Sequence, residues 1–453
     1  MKVQWYRSAT VGIFSQAGTS ILCDPWITDG AFIGSWFHWP PLEGFEFEDL
    51  ANRKWDAIYI SHFHADHFDR KLVAAIARSN PDTRVFLPNY ANKWLLRAVI
   101  NCGFEPNRVI ELENNSKFSF KDFIITMFVA DYCNPQICGA QIPCITSPRK
   151  QTANDSLALF EADGYRVLNA NDALAVQSVQ KLWPLIGKVD LLLGHYGGAG
   201  PFPQCFIDIE DGEKIQKASE LGWKFVDRLI ETGRLLNARY VMPYAGQYVL
   251  GGKLSSLNPF RSVIPISKVI DRINSAQFSI PLTIHPFTEF NLKTANSLTP
   301  WMEPSKSDFN SYLDRIGQVS YPYEGPAEDW PNALNQMRSS LEKVREEFTA
   351  MVDFGIVGSE SSITISTESA SMSINFSKSE ASITNNGPIF ERHTEITCDS
   401  RLLRRLIIRK AGYKGFTPYH FNQAEIGSHF TWRRSGPYPT ETNLLNFMQC
   451  STI

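Results

Sequence analysis

DAIYISHFHADHFD, Asp56 to Asp69, is the stretch that decides how this chain is read. Its apolar run Ala57 to Ile60 breaks off into Ser61-His62-Phe63-His64-Ala65-Asp66-His67, so a short buried strand is expected to deliver three imidazoles and a carboxylate at its C-terminal end. Alternate residues of an extended segment face the same way. His62 and His64 can therefore grip one ion, while Asp66 and His67, past the bend, reach a second. A lone histidine is usually a satisfied core or surface imidazole. Here four of the six residues from His62 to His67 are strong ligands, and three of the chain's nine histidines fall among them, which points to a metal site.

The pattern H-x-H-x-D-H is similar to the signature of the metallo-β-lactamase superfamily, which implies an αββα sandwich with metals at the sheet edges. Upstream, Ala9 to Phe14, a turn at Gln16-Ala17-Gly18, and Thr19 to Cys23 predict a β-hairpin that ends in Asp24-Pro25-Trp26. Proline stops the strand there and leaves Asp24 at the sheet's edge, near the metal loop. The aromatic and glycine-rich run that follows, DPWITDGAFIGSWFHWPP, has two readings: a packed loop over one end of the sheets, or a wall of the substrate pocket built from Trp36, Phe37, His38 and Trp39. DPW-x-x-x-G-A-F-x-x-x-W followed by YISH-x-H-x-D-H resembles the metallo-β-lactamase-like domain of the CMP-N-acetylneuraminate hydroxylase family. The hairpin, the D-P-W element and the metal loop also resemble the L-ascorbate-6-phosphate lactonases. The likeness covers roughly residues 1 to 300, with a fainter echo in Tyr419 to Arg433. Hydroxylases of that family carry a Rieske module, whereas no C-x-H followed by C-x-x-H occurs in this sequence. An oxygenase reading therefore calls for a separate electron-transfer protein.

The resemblance also implies the remaining ligands. In the superfamily a histidine ends the loop before one strand, and an aspartate that bridges two metals follows the next. Here Asp155 opens the strand Ser156 to Phe160 at the expected histidine position, with Asn154 as the alternative, and Asp172 follows Arg166 to Ala170 at the bridging position. His195, at the end of the apolar run Leu191 to Leu193 and before Gly197-Gly198, resembles the last metal-loop histidine. The implied sets are His62, His64 and Asp155 for one ion, Asp66, His67 and His195 for the other, and Asp172 for both. Two histidines with a carboxylate form a harder, more anionic set than three imidazoles, a set associated with non-haem iron that uses O2. Zinc or manganese hydrolases use such sets as well. Asp66 and Tyr244 are the candidate catalytic groups, and Trp36, His38 and Gln247 the candidate substrate contacts.

At 453 residues, 43% hydrophobic and 12% aromatic, the chain can bury a large core in two or three domains. A formal charge of −3 argues against a general role on nucleic acid or anionic membranes. Met1 to Ala17 contains no apolar core of secretory length, no later run approaches a membrane span, and the eight cysteines are scattered, so a reduced, cytoplasmic setting is expected. Cys133, Cys138 and Cys144 form a loose cluster whose spacing matches no common zinc motif.

Between these points, strands at Thr83 to Leu87, Val109 to Leu112 and Phe123 to Val129 alternate with amphipathic helices at Lys71 to Ser79 and Asn92 to Cys102, an α/β layered pattern. Glu213 to Leu236 predicts a long helix and Ala238 to Met242 a strand leading to Tyr244 and Gln247. Gly251-Gly252-Lys253 lacks the spacing of a phosphate-binding loop. A Pro-, Ser- and Tyr-rich linker is expected over 301–330, between a catalytic domain at 1–300 and a small α+β accessory domain at 331–453. The latter combines an apolar-striped helix at Trp330 to Val352, alternating strands in Ser362 to Ile383, and a basic helix from Arg401 to Lys410 that reads as a solvated face. Tyr419 to Asn422 and Glu425 to His429 read either as a domain-packing corner or as an approach to the pocket.

Overall fold

The computed structural model describes residues 1–453 apart from 43, 45, 91–92, 130–154, 174–181, 284, 287–288, 296–302, 326–340, 354–356, 369, 408–418 and 435–453. Asn154, the cysteine cluster at 133–144, Arg409 and the first turns of the helix expected from Trp330 lie outside the described residues.

Two seven-stranded mixed sheets face each other. The first runs, in spatial order, Glu289–Asn291, Lys2–Arg7, Thr10–Phe14, Ser20–Cys23, Ala57–Tyr59, Arg84–Pro88 and Val109–Leu112. The second runs Ile280–Pro281, Tyr240–Pro243, Leu191–Gly194, Tyr165–Asn171, Ser156–Ala162, Phe123–Val129 and Lys117–Phe120. Their central strands are parallel to a neighbour and buried on both faces, which explains why they read as unbroken apolar runs. Ala57 and Tyr59 point between the sheets, packing with Val11, Ile125, Phe160, Leu191 and Leu193, whereas Ile58 and Ile60 point outward onto Leu72 and Ile76. The same alternation sends Leu192 out to meet Val226, Leu229 and Val269.

Helices Arg70–Ser79 and Trp94–Asn101 cover the first sheet, and Asp211–Leu235 and Ile266–Ser275 the second. The layers are thus α, β, β, α, as the resemblance implied. Lys2–Arg7, not expected as an element, is a strand paired with both Thr10–Phe14 and Glu289–Asn291. Among the described residues no helix is long and apolar enough to cross a membrane.

The stretch expected as a linker contains the helix Lys306–Ile316, whose Ser305 caps it by accepting from Asp308 N. That helix packs on Trp39, whose ring centroid lies 5.0 Å from Phe309 and 5.2 Å from Tyr312. Beyond it a five-stranded sheet, ordered Ala381–Thr384, Ser371–Ser377, Glu360–Ser366, His393–Thr397 and Thr431–Arg434, packs with helices Leu341–Asp353 and Ser400–Ile407 around a second core. Its last strand is clipped to the αββα layers. Ile207 N donates to Trp432 O and Trp432 N to Cys205 O, both at 2.8 Å, and the Trp432 indole lies nearly parallel to Phe206. Arg401, expected on a solvated face, instead pairs with Asp399 at 2.8 Å, and Lys253 reaches the same carboxylate from the αββα layers at 3.3 Å.

Candidate metal centre

The metal loop is aimed by the residues that end it. The Asp69 carboxylate caps the next helix, accepting from Lys71 N at 3.0 Å and Leu72 N at 3.2 Å, and its second oxygen accepts from Thr28 N at 2.9 Å. Asp24, fully buried, accepts from Ser61 N at 2.7 Å, while its backbone N–H donates to Tyr59 O at 2.8 Å. The D-P-W element therefore braces the strand end from which His62, His64 and His67 project.

Two groups of ligand atoms converge, each with all its atoms within 4.8 Å of one another: His62, His64 and Asp155, and His62, His67 and Asp172. His62 Nε2 lies 2.8 Å from His64 Nδ1 and 3.4 Å from Asp155 Oδ1. His67 Nε2 lies 3.4 Å from Asp172 Oδ2 and 3.6 Å from Asp66 Oδ2. The outer nitrogens of His62 and His64 have hydrogen-bonding neighbours, and that of His67 has the Asp24 carboxylate close by. Ser61 Oγ is 2.9 Å from His62 Nδ1, Asn422 Oδ1 is 2.9 Å from His64 Nε2, and Asp24 Oδ2 is 3.4 Å from His67 Nδ1. His195, on the loop after Leu191–Gly194, has its Nδ1 2.9 Å from Asn171 O, the backbone that positions Asp172.

The sets differ from expectation in two respects. His62 stands in the second group where Asp66 and His195 were expected, and Asp172 belongs to that group alone and not to both.

The electrostatics suit a cation. Burial raises the Asp66 carboxyl to about 7, with Asp172 nearby adding to the effect, and raises Asp155 to about 6. Burial also opposes the Asp172 carboxylate, but His67, His195 and His62 together hold it well below the usual carboxylate range. His64 is lowered to about 4 by burial and by His62. Asp66 Oδ1 and His67 Nε2 are buried without a hydrogen-bond partner. Orphaned buried acceptors are costly unless something else occupies their lone pairs, and two divalent ions would do so, so the residues present fit a dinuclear centre.

The candidate substrate contacts fall elsewhere. Trp36 is buried and stacked on Tyr248, with centroids 3.4 Å apart, and His38 packs on Trp26 at 4.0 Å with its Nδ1 2.9 Å from Asp29 Oδ1. Both are in the packed part of the aromatic loop. Trp26 and Phe32, with Tyr419 and Gln423, line a cavity of about 340 Å³ that the metal-loop residues Phe63 and Ala65 also border. Tyr244 is a correction to its catalytic assignment: it is fully buried in the inter-sheet core, its hydroxyl donates to Asn169, and burial raises it well above the ordinary phenol value. A phenol so placed supports the strand ends and does not exchange protons with a substrate. Gln247 is partly buried beside the same loop. Asn422 lies in the stretch expected either as a packing corner or as an approach to the pocket, but its contact with His64, 358 positions away in the chain, could not be read from the sequence.

No family model matches the chain. A Mycobacterium tuberculosis protein named for a Rieske 2Fe-2S iron-sulfur centre is 30% identical over 235 residues, 52% of this chain and 41% of that one. The cytidine monophosphate-N-acetylneuraminic acid hydroxylase of Pongo pygmaeus is 25% identical over 238 residues, 50% of this chain and 35% of the relative. A Mycolicibacterium smegmatis protein, also Rieske-named, is 26% identical over 358 residues, 75% of this chain and 64% of the relative. The chain thus spans less than two thirds of the length of these relatives. Four layers and a ligand-bearing loop at the strand ends give the architecture a name. It is the metallo-β-lactamase fold.

Among solved structures, the diiron beta-hydroxylase CmlA of Streptomyces venezuelae overlays with a TM-score of 0.41 at 16% identity, covering 62% of this chain and 52% of that one. A possible metal-dependent hydrolase from Veillonella parvula overlays with a TM-score of 0.42 at 18% identity, covering 64% of this chain and 98% of that one. Overlays this loose carry no information about chemistry. What the metallo-β-lactamase fold fixes here is the place of the ligand cluster, at the ends of the two sheets.

Proposed function

We propose that the chain is a non-haem diiron monooxygenase that hydroxylates a small molecule, such as a nucleotide sugar or a biosynthetic intermediate. The observation that carries this reading is Asp155, a carboxylate 3.4 Å from His62 Nε2 where hydrolases of this fold usually place a histidine. A donor set of two imidazoles and a carboxylate suits iron. When bound, the two irons would supply O2 activation. The balance is that of any monooxygenation: one substrate C–H bond becomes C–OH, one atom of O2 leaves as water, and two electrons and two protons come from outside. A separate electron-transfer protein supplies the electrons.

The side chains of this chain hold and shape the site. His62, His64 and Asp155 would hold one ion, with His67 and Asp172 beside the second. Asp66, with Oδ2 3.6 Å from His67 Nε2 and Oδ1 without a hydrogen-bond partner, would stand beside the second ion. Phe32 and Trp26 would exclude water on the cavity side.

The test is metal analysis of protein expressed without added zinc, with Mössbauer and absorption spectra recorded anaerobically and then after oxygen. About two irons per chain that react with O2 support the oxygenase. Tightly held zinc or manganese, with no oxygen-dependent change after iron reconstitution, overturns it in favour of a metallo-hydrolase of a phosphoester, lactone or amide. Retained metal with neither activity would leave a metal-binding protein.

A further inference from the structure

We propose that Asn422, supplied by the C-terminal part of the chain, is a positioning residue of the metal centre, setting which nitrogen of His64 faces the ion. The inference rests on the dinuclear reading above.

His64 has two nitrogens with different neighbours. Nδ1 points at His62 Nε2, 2.8 Å away, in the first ligand group, and Nε2 points at Asn422 Oδ1, 2.9 Å away. A carbonyl oxygen can only accept. Asn422 therefore demands a proton on His64 Nε2, which leaves the lone pair on Nδ1, the nitrogen that faces the other ligands. Reversing the tautomer would place an N–H against the ion and a lone pair against the amide oxygen. Ligating histidines are generally held this way by an acceptor on the outer nitrogen, and losing that acceptor weakens metal binding by about 10- to 100-fold. His62 and His67 are held by residues next to the metal loop in sequence or in the sheet. For His64 the acceptor comes from a separate sheet and core.

The platform under Asn422 is rigid. It stands in the first turn of the helix Phe421–Ile426, is 6% exposed, and its backbone N–H donates to His420 Nδ1 at 3.3 Å. Phe421 and Ala424 face the other way, into the C-terminal core with Phe430 and Trp432. The end of the helix is pinned to the aromatic loop, because His429 Nε2 lies 2.9 Å from Phe32 O and Gln204 Nε2 donates to Ser428 Oγ at 3.2 Å. Phe32 in turn sets its ring 6.0 Å from that of His64. The C-terminal part thus reaches the metal loop directly through Asn422 and indirectly through Phe32, and it completes the metal centre.

The experiment compares the 453-residue chain with Asn422→Leu, Asn422→Asp and Asn422→Ser. Each metal-stripped protein is titrated anaerobically with Fe²⁺ or Co²⁺ against a chelator, and histidine ¹⁵N spectra of the metal-free proteins report the His64 tautomer. Wild type and Asn422→Asp should bind two ions with similar affinity and show the Nε2–H tautomer, because both keep an acceptor at that place. Asn422→Leu and Asn422→Ser, the first without an acceptor and the second too short to reach, should bind one of the two ions about 10- to 100-fold more weakly and show mixed tautomers. If Asn422→Leu fails to fold, the Asp and Ser variants decide the matter. Wild-type affinity and tautomer in the Ser or Leu variant overturn the proposal, as does a loss in Asn422→Asp equal to that in the others. Wild-type protein that binds no metal at all defeats the dinuclear reading itself, a result that the variants cannot produce.

Discussion

Asp24 Oδ2 lies 3.4 Å from His67 Nδ1, and both side chains are fully buried. The same carboxylate accepts from Ser61 N through its other oxygen, so one residue both ends the hairpin and orients a histidine of the second ligand group. Asp24→Asn keeps the size but offers His67 either a weaker acceptor or a donor. It should weaken one metal site by about 10- to 100-fold. Asp24→Ala should also destabilise the chain, by about 1–3 kcal/mol, because Ser61 N is left buried without an acceptor. Chelator competition and urea denaturation read the two effects separately. Unchanged metal affinity in both variants would sink the orienting role.

Gly427 closes the helix that carries Asn422. A Cβ there would lie 2.7 Å from Phe32 O, 2.8 Å from His429 Cδ2 and 2.9 Å from Ser35 Oγ. Phe32 O belongs to the backbone and cannot swing aside, so Gly427→Ala must push the helix off the aromatic loop. The expected cost is about 1–3 kcal/mol in stability. Metal affinity should fall in parallel, since Asn422 moves with the helix. A variant that loses stability and keeps full metal affinity would show that the helix end and the metal loop are uncoupled.

His429 gives the same contact a pH dependence. Burial holds its imidazole down to about 4, and the nearby Lys253 ammonium works in the same direction, against the Phe32 carbonyl, Glu324 and Asp399. The rings of Tyr321 and Tyr323 pack on it, 5.0 and 5.6 Å away. The folded-state value lies below the unfolded one of about 6.5, so the folded state disfavours the charged form. The contribution is fully present above about pH 6.5 and is lost as the pH falls toward 4, by up to about 3 kcal/mol. Melting temperatures across that window should fall more steeply for wild type than for His429→Gln, which keeps a donor for Phe32 O and does not titrate. Parallel curves would rule out this origin for any acid sensitivity.

The αββα layers were legible in the sequence because their signals are local. Ala57 to Ile60 and Leu191 to Leu193 are unbroken apolar runs that can be buried only on both faces, and each ends in a histidine. Asp155 and Asp172 came from the resemblance, as the superfamily's ligand positions beside the strands Ser156–Ala162 and Tyr165–Asn171. Other features were invisible for physical reasons. Nothing near Asn422 marks it as a partner of His64, since the contact exists only once two separate cores have docked. Tyr244 follows a strand and stands two residues before a glycine, just as a pocket residue would, and only its burial against Asn169 shows otherwise. The aromatic loop offered four equivalent rings, and the choice of Phe32 and Trp26 over Trp36 and His38 depends on the Trp36–Tyr248 stack.

The arrangement of ligands separates the two ions experimentally. His64 and Asp155 belong to one group only, His67 and Asp172 to the other only, and His62 Nε2 stands in reach of both. Asp155→Ala and His64→Ala should each leave about one iron per chain, with the same residual Mössbauer spectrum, because they empty the same place. His67→Ala should also leave about one, but with a different spectrum, because the surviving ion is the other one. His62→Ala should likewise leave about one iron per chain, since a single imidazole lone pair binds one ion, and its residual spectrum should match that of the His64 variant. Identical spectra from the His64 and His67 variants would mean that the cluster holds its ions as a single unit. The two carboxylates Asp155 and Asp172 would then act together, and the oxygenase reading would have to rest on the pair and not on Asp155 alone.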